Sequence, residues 1–471
     1  MSRANEAQRA PETLAAVWDA VGGEPRELSR VRLTGRDRAL PSVFSVTAAA
    51  SASVAAATLA AAGVLADRNC EPLREVAIDA MHAVIAFRSE RHVRIIDGSL
   101  GDLWDPLAGD YRATDGWVRL HTNYPHHRAA ALRVLGVAPE RAAVTSAITR
   151  QSAQEVESAV VAAGGVAAAL RSRDEWRAHD HGARVAECPL VDIAPCGVSP
   201  PVPLFAAERP LSGVRILDLT RVIAGPVATR FLAAHGAEVL RVEAPTFEES
   251  PTIAIDGGFG KRSTLLDLRA AAGRTAFERL VVASDVVVHG YRPGALSGLG
   301  YSAQRLAALR PGLLIARLSA YGPAGPWAQR RGFDSLVQMV SGIAEEGRRA
   351  AGTDHPVPLP CQALDHASGY LLAFGVLTAL RRRQREGGSW RIAVSLARTA
   401  RWLDDLGRVE GGLGVPEPDR VSVQHYLRID PTPWGRVEHV ECPGMIEGSP
   451  PRWDRPAPRV GSDPAAFVDT P

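Results

Sequence analysis

The stretch LSGVRILDLTRVIAGPVATRFLAAHGAEVLRVEAP, residues 211–245, carries the most specific local signal in the chain. Val214–Leu219 predicts a buried strand, a small-residue loop follows at 221–226, and ATRFLAAHG predicts a helix that ends at Gly236. A second strand, EVLRVEAP, comes next. A strand that leads through a short loop into a helix presents free backbone N–H groups to an anionic ligand.

The same alternation continues along the chain. Strands LLDL, DVVVHGY and LLIARLSAYG follow, with a helix predicted at Ala271–Ala283 between the first two. Strands that alternate with helices predict a parallel sheet in a Rossmann-like layer. The opening loop lacks the G-x-G-x-x-G pattern, which argues against a nicotinamide-dinucleotide site.

Pro-rich composition marks the domain boundaries, most clearly in PCGVSPPVPLFAAERP, which is typical of a linker. We predict an α/β fold, with a Rossmann-like parallel-sheet domain that carries the chemistry and a second, smaller α/β domain. The predicted segments are a helical N-terminal part at 1–105, the small α/β domain at 106–195, a linker at 196–210, the catalytic domain at 211–410, and an extended C-terminal tail at 411–471 that packs on the large domain.

The N-terminal segment contains a candidate degenerate repeat. Residues 44–83 can be laid over 360–399 without gaps, and both stretches contain an Ala-rich helix, a polar break and a short strand that enters a helix. In this register Asp365 falls on Ala49. Two Ala-rich helices also align by chance, so duplication and coincidence both stay open.

Composition excludes several classes of protein. A net charge of +2 with 46% hydrophobic and 23% charged residues is ordinary for a soluble globular protein and does not suggest binding to nucleic acid or membrane surfaces. The five cysteines form no C-x-x-C pair, so we expect neither a disulfide framework nor a metal site, and we expect a reducing cytoplasm. The N-terminus lacks the pattern of a secretory signal. The uncharged run Phe44–Ala66 is long enough to span a bilayer, but its small residues favour a buried helix.

A series of motifs in fixed order carries a resemblance to a known family. The pieces are LSGVRILDLTRVIAGP, GAEVLRVEAP, GKRSTLLDL, SDVVVHGYRPGAL, LGY, RPGLLIARLSAYGPAGP, RGFDSLVQMVSG and PLPCQALDHASGYLLAFGVLTALRRR. In this order and spacing the sequence resembles the family III CoA-transferases, the group that includes formyl-CoA transferase and carnitine CoA-transferase. The resemblance covers residues 211–383.

The resemblance implies that Asp365, in a D-x-x-x-G element with Gly369, is the covalent nucleophile. From the residues alone, Asp365 would be a helix N-cap, although a carboxylate is also chemically able to attack a thioester. The resemblance further implies contacts with coenzyme A for Ile223, Ala224, Gly225, Leu266, Arg269, Tyr291, Arg292, Ala295 and Ser319. Because Arg and Lys suit phosphate groups, Lys261 and Arg262 join Arg269 and Arg292 as candidate cations.

The sequence also departs from the family pattern. Racemases of the same fold carry a G-H-D motif, which here is Gly332-Phe333-Asp334, and the missing histidine argues against racemisation because proton transfer on two sides needs two titratable groups. Ile223 replaces a polar residue of formyl-CoA transferase, which disfavours a small polar acyl group. Residues 111–191 resemble the small domain of the family but precede the CoA-binding domain. We expect them to form the other wall of the pocket.

We therefore expect a cytoplasmic enzyme that moves CoA from an acyl-CoA thioester to a carboxylic acid. We expect a homodimer with no metal, no permanently bound cofactor, no nucleic acid and no membrane partner. Two alternatives stay open: an acyl-CoA racemase or lyase on the same fold, and a non-catalytic CoA-binding pseudoenzyme, for which the rearranged halves and Ala49 are reasons. His366, next to Asp365, is a candidate for tuning the environment of the nucleophile.

Overall fold

The structure, a computed structural model, describes residues 9–36 and 38–468. The α-helices are α1 (Arg9–Asp19), α2 (Val46–Asn69), α3 (Ala80–Ala86), α4 (Ser89–His92), α5 (Pro125–Leu135), α6 (Arg141–Ile148), α7 (Ala153–Ala162), α8 (Arg173–Ala178), α9 (Asp180–Glu187), α10 (Ala224–Ala234), α11 (Pro251–Asp256), α12 (Ala271–Val282), α13 (Ala295–Gly298), α14 (Ala303–Leu309), α15 (Asp334–Val340), α16 (Ile343–Ala351), α17 (Ala363–Glu386), α18 (Leu396–Asp405) and α19 (Arg420–Val423). The strands are β1 (Val31–Thr34), β2 (Val76–Asp79), β3 (Arg94–Ile95), β4 (Gly109–Arg112), β5 (Trp117–Leu120), β6 (Ala167–Ala169), β7 (Asp192–Gly197), β8 (Arg215–Leu219), β9 (Glu238–Glu243), β10 (Lys261–Leu265), β11 (Val286–His289), β12 (Leu314–Ser319), β13 (Ser389–Ser395), β14 (Leu427–Thr432), β15 (Gly435–Val440) and β16 (Met445–Ile446).

The largest sheet has seven strands in the order β10-β9-β8-β11-β12-β13-β7. Its first six strands are parallel, whereas β7 runs antiparallel to β13. Helices cover both faces of a parallel sheet, so its central strands are rich in buried apolar residues; in β11, Val286, Val287 and Val288 are all fully buried. The predicted α/β fold with a Rossmann-like parallel sheet is confirmed. Strand β7, from the N-terminal half, completes one edge of the sheet.

The strand order reverses between β8 and β11. The chain passes from β8 outward to β9 and β10, then returns to the other side of β8 and continues through β11, β12 and β13. Open α/β sheets bind ligands at the carboxyl ends of their strands, at the point where the order reverses. The loops at 220–223 and 290–294, which follow β8 and β11, meet at this point.

Two predicted boundaries differ from the structure. The strand predicted at LLDL lies earlier, at Lys261–Leu265, so Leu266 is in the turn that follows it. The helix predicted from residue 228 begins at Ala224, so the A-G-P sequence forms its first turn. Proline is tolerated there because the first N–H groups of a helix have no partner within the helix.

The N-terminal segment, which we expected to be helical, also contains the parallel strands β1 and β2. Helices α2 and α17 both have 24 residues, and the strands after them, β2 and β13, each lead directly into a helix. The helices that these strands enter, α3 and α18, begin with N-cap side chains at Asp79 and Ser395, which are 316 positions apart, as in the proposed repeat. The two stretches therefore form the same succession of elements.

Helices α2 and α17 pack against each other in the core. Both are long and apolar enough to cross a membrane, but within the fold 100% and 94% of their most apolar windows are buried. Small residues on α2 permit the close approach: a Cβ atom on Gly63 would lie 2.6 Å from the guanidinium of Arg381 on α17. Arg381 is in turn held by Asp67, with 2.7 Å between Nε and the carboxylate.

Strands β4, β5 and β6 form a separate antiparallel sheet that packs with α5, α6 and α7 around a core of its own. A buried ion cluster joins this unit to the chain just before α15: Glu157 pairs with Arg171 at 2.5 Å and with Arg330 at 2.6 Å. The carbonyl of Met339 on α15 accepts a hydrogen bond from the N–H of Arg171. The unit is therefore fixed next to α15.

After β7 the chain runs without regular structure through 198–207, within the stretch predicted as a linker. Val198 and Phe205 are 94% and 84% exposed. Arg68 at the end of α2 holds this stretch, and its Nε donates to the carbonyl of Phe205 at 2.7 Å.

The C-terminal segment contains a hairpin of β14 and β15, to which β3 adds a third strand. Strand β16 then pairs with β2. Residues 447–468 lie over the large domain, where the indole of Trp453 donates to the carbonyl of Arg230 at 3.0 Å.

Candidate active site

The first turn of α17 carries Asp365, and its capping comes from elsewhere in the chain. The backbone N–H groups of Leu364 and Asp365 donate to Oδ2 of Asp334, at 2.8 and 3.0 Å. Asp334 is the first residue of α15, and the side chain of Gln338 also binds it. The capping role that local sequence suggested for Asp365 therefore belongs to Asp334, a residue that we had considered only as part of the G-H-D comparison.

Gly369 explains the spacing of the D-x-x-x-G element. It lies four positions after Asp365 and so on the same face of the helix. A Cβ atom at this glycine would be 2.6 Å from the carbonyl oxygen of Ala224 and 2.8 Å from the side chain of Val227. Helix α10 therefore packs against the nucleophile face of α17 at a distance that only glycine permits. The candidate CoA loop, which begins α10, thus lies beside Asp365.

The loop before α10 is strained. Val222 has a φ of +65°, which is costly for a β-branched residue. Its N–H donates to Oε2 of Glu249 at 3.0 Å, which holds the backbone in this conformation. Gly225 is also constrained, because a Cβ atom there would lie 2.3 Å from Thr220. Strained backbone of this kind is concentrated at ligand sites.

The loops after β8 and β11 meet through Arg221, which we had not singled out from the sequence. Its guanidinium lies 5.8 Å from the ring centre of Tyr291 and 4.2 Å from that of Phe247. Ile223, Ala224 and Gly225 follow in the same stretch of chain, after Val222. The structure thus brings the loop that leads into the A-G-P element close to Tyr291 of the Y-R-P-G-A element.

Other predicted residues lie at the same edge of the sheet but further apart. Leu266 and Arg269 follow β10, which is two strands away from β8. Arg269 is exposed, and its N–H donates to Asp267. Ser319 ends β12, and its hydroxyl accepts from the N–H of Gly322 at 3.1 Å, within its own turn. Ala295 begins the short helix α13.

Two of the four candidate phosphate-binding cations form ion pairs with carboxylates of the same chain. Lys261 is fully buried, and its ammonium lies 2.9 Å from Oδ2 of Asp218 and 2.7 Å from the hydroxyl of Thr229. Arg262 binds Asp463 and donates to a backbone carbonyl in the C-terminal segment. The phosphate role considered for Lys261 is therefore wrong for this arrangement. The side chains of Arg269 and Arg292 are exposed at the edge of the sheet.

The environment of Asp365 disfavours its ionised form. Burial raises the pKa of Asp365 well above its ordinary value, and the negative charges of Asp334 and Glu90 raise it further. Burial also raises the pKa of Asp334, although hydrogen bonds from the α17 backbone and from Gln338 oppose this. A buried carboxyl group with a raised pKa is a candidate for chemistry.

The small α/β unit contributes an aromatic wall. The ring of His121 stacks on Phe333, the residue before Asp334, with 3.8 Å between ring centres. Tyr124 approaches Phe247 at 5.4 Å. Residues 121–124 therefore touch both the neighbour of Asp334 and the ring that lies under Arg221. Burial lowers the pKa of His121 to about 3, so this imidazole is neutral at physiological pH.

One further buried histidine has hydrogen-bond partners at both ring nitrogens. His181 is fully buried, with Nε2 2.8 Å from the carbonyl oxygen of Tyr321 and Nδ1 accepting from the N–H of Trp327. Within residues 9–36 and 38–468, no group of histidine, cysteine and carboxylate side chains is arranged to hold a metal ion.

Residues 211–427 match the family model described as CoA-transferase family III. An acetyl-coenzyme A transferase of Hypoxylon pulicicidum is 34% identical over 42% of this chain and 34% of its own length. A probable fatty acyl-CoA transferase of Mycobacterium tuberculosis is 34% identical over 46% of this chain and 59% of its own. The alpha subunit of a succinyl-CoA–L-malate CoA-transferase of Chloroflexus aurantiacus is 33% identical over 44% and 51%.

The chain thus spans between about a third and three fifths of the length of these relatives. A crystal structure of a hypothetical protein from Mycobacterium tuberculosis covers 42% of this chain and 57% of that chain at 35% identity, with a TM-score of 0.38. The residues matched by the family model include β8, the A-G-P turn, Asp334 and Asp365, which together build the site described above. Residues 211–427 of this chain are thus similar to CoA-transferase family III.

Proposed function

We propose that the chain moves coenzyme A from an acyl-CoA thioester to a carboxylic acid, with Asp365 as the covalent nucleophile. The observation that carries this proposal is the contact between Gly369 and Ala224, because it sets the nucleophile face of α17 against the candidate CoA loop. The match to CoA-transferase family III supports the same reaction class.

The reaction begins when the Asp365 carboxylate attacks the thioester carbonyl and CoA leaves as a thiolate, which gives a mixed anhydride. The thiolate then attacks the aspartyl carbonyl, releases the first acid as a carboxylate and leaves CoA on Asp365 as a thioester. The acceptor carboxylate attacks this thioester, forms a second mixed anhydride and again frees the thiolate. Attack of the thiolate on the new acyl carbonyl gives the product acyl-CoA and restores the Asp365 carboxylate.

We propose that CoA crosses the edge of the sheet from the loop after β11 to the start of α17. Tyr291 offers a flat face for the adenine ring, and Arg221 and Arg292 offer charge for the phosphates. The aromatic wall of Tyr124 and Phe333 would then cover the acyl end of the thioester. Half-buried, uncharged aromatic surface favours an acyl group with apolar area.

The raised pKa of Asp365 has a direct consequence for rate. Only the ionised carboxylate is a nucleophile, so the rate of the first step rises with pH until Asp365 is ionised. The same feature makes the carboxylate more nucleophilic once formed, because basicity and nucleophilicity increase together.

Trapping of the covalent intermediate tests the proposal. The protein is incubated with a panel of acyl-CoAs and hydroxylamine, and its peptides are then analysed by mass spectrometry. We expect a modified peptide at Asp365 and no CoA exchange in D365N, while D354N, which removes an exposed carboxylate, exchanges CoA normally. If D365A exchanges CoA as the unaltered protein does, the mechanism is wrong.

Proton exchange separates transfer from racemisation on this fold. We expect no exchange of the α-proton of a branched acyl-CoA in deuterated water without an acceptor acid, because Phe333 stands where racemases carry a histidine. Rapid exchange would favour the racemase.

Absence of CoA transfer with every combination of donor and acceptor, while the protein still binds CoA, would favour a non-catalytic binding protein.

Assembly and location are part of the same proposal. We propose a cytoplasmic homodimer with no permanently bound cofactor. Light scattering coupled to size-exclusion chromatography tests the assembly, and a monomer at all concentrations would refute it.

A further inference from the structure

Helix α4 is short, but its first two residues contact α10 and α17, the two helices that carry the candidate CoA loop and Asp365. The hydroxyl of Ser89 donates to Oδ2 of Asp256 at 2.8 Å and accepts from the guanidinium of Arg230 at 3.1 Å. Arg230 belongs to α10, the helix that begins with the candidate CoA loop. These side chains are all buried. Ser89 therefore ties the N-terminal half to the CoA side of the site.

The next residue, Glu90, contacts the nucleophile helix. Its Oε2 lies 3.0 Å from Nε2 of His366, and the two side chains are 2% and 0% exposed. An ionised carboxylate only accepts hydrogen bonds, so Nε2 of His366 carries the proton. The ring also stacks on Phe87, with 5.5 Å between ring centres. Because neighbouring residues of a helix point in different directions, His366 faces α4 while Asp365 lies on the other face, which it shares with Gly369.

Glu90 remains an anion despite its burial. Burial alone would raise the pKa of Glu90, but the hydrogen bond with His366 and the charge of this group lower it below its ordinary value. The titratable groups that face Glu90 or Asp365 are Arg91 on α4, Cys361 before α17, Asp334 on α15 and His366 on α17. Three carboxyl groups from three elements thus share one buried region, next to a single imidazole.

We propose that Glu90 is a positioning residue of the transfer reaction. Its bond to His366 fixes the first turn of α17 against the N-terminal half, and its negative charge opposes ionisation of Asp365. This inference rests on the function proposed above, and it extends that function to a residue that lies 275 positions before the nucleophile in the chain. The N-terminal half then helps to set the pH at which the enzyme works.

A mutant cycle that needs no substrate tests the electrostatic part. The variants E90Q, D365N and the double variant are compared with the unaltered protein by urea unfolding between about pH 5 and pH 9. Glutamine keeps the shape of Glu90 and can still accept from His366. We expect D365N to raise the unfolding midpoint in alkaline solution, and to raise it by about half as much or less in the E90Q background, because the two charges repel each other.

The neighbour of Glu90 supplies a matched control. S89A removes a buried hydrogen bond from the same helix without changing its charge, so we expect a lower midpoint but an unchanged effect of D365N. If E90Q does not fold, H366Q replaces it, because Glu90 without its imidazole partner takes up a proton and the coupling disappears as well. Additive effects of the Glu90 and Asp365 changes at every pH would overturn the inference.

A kinetic measurement adds a second readout, with whichever acyl-CoA the trapping experiment identifies. We expect the acidic limb of the kcat profile to move to lower pH in E90Q by about 0.5 to 1 unit, with little change in KM for the acyl-CoA. S89A should leave the limb in place. If the acidic limb does not move in E90Q, the inference is contradicted even if CoA transfer is confirmed. If no CoA transfer is found at all, the proposed function is refuted, and the unfolding cycle alone decides whether Glu90 and Asp365 are coupled.

Discussion

Replacement of Gly369 by alanine would place a methyl group 2.6 Å from the carbonyl oxygen of Ala224. Ordinary contact needs about 3.5 Å, so α10 and α17 must separate by roughly 0.5–1 Å. The obstacle is backbone at the start of α10 and cannot rotate away. Overpacking costs about 1–3 kcal/mol, and alanine returns about 1 kcal/mol of helix propensity, so we expect a net loss of roughly 0–2 kcal/mol in stability.

The larger effect of G369A should be on CoA binding and on the rate of transfer. A displacement of about 1 Å between a reacting group and its substrate lowers the rate by on the order of 100-fold, and the candidate CoA loop moves with α10. We expect G369A to bind CoA at least about tenfold more weakly, which is about 1.4 kcal/mol, in isothermal titration calorimetry. Its kcat/KM for transfer should fall further than its affinity does.

The control lies on the same helix. G375A also overpacks, but the atoms it meets are the side chains of Ile392 and Val191, at 2.6 and 2.8 Å, on the sheet side of α17. We expect a similar change in the urea midpoint of G375A with CoA affinity unchanged. Equal CoA affinity of G369A and G375A would show that the contact with Ala224 does not place the CoA loop.

Three further predictions concern stability and flexibility. K261M should lower the free energy of unfolding by about 3–5 kcal/mol, because it leaves Asp218 charged and unpaired; the double variant K261M/D218N should recover much of this in urea unfolding, and no recovery would contradict the pairing. R68A should speed proteolytic cutting near Phe205 without a matching loss of global stability, as measured by limited proteolysis, since Arg68 holds that stretch. Acid should destabilise the protein, because burial lowers the pKa of four histidines to about 3 and the unfolded state therefore binds more protons below pH 6.5. The free energy of unfolding should fall by up to about 1.4 kcal/mol per pH unit for each histidine. Urea unfolding at pH 6.5 and 5.5 would detect this fall, and midpoints that do not depend on pH would refute it. These histidines are His121, His127, His235 and His289.

Local patterns in the sequence predicted the elements that depend on local causes. The apolar run of β8 and the helix that ends near Gly236 follow from hydrophobicity and from glycine at a φ of +104°. The family order of motifs led to Asp365. The start of α10 was misplaced because A-G-P suggests a turn, whereas the close contact with Thr220 makes glycine necessary inside the first helical turn.

The rest of the site depends on contacts between distant parts of the chain. Arg221 meets Tyr291 only because the strand order reverses between β8 and β11, and no local pattern contains that information. Glu90 lies in a short SER sequence with no motif, and its role appears only when α4 is packed on α17. Lys261 was a candidate phosphate-binding cation because the sequence does not reveal that its charge is buried against Asp218.

The exposed stretch at 198–207 divides the chain into two lengths that build one site. Strand β7 and helix α4 come before it, and α10 and α17 come after it. A single cut there would turn an intramolecular arrangement into a binding equilibrium between two fragments. CoA turnover would then depend on fragment concentration to the second power when both are dilute, and the protein would behave as a split enzyme whose activity measures how well its two pieces recognise each other.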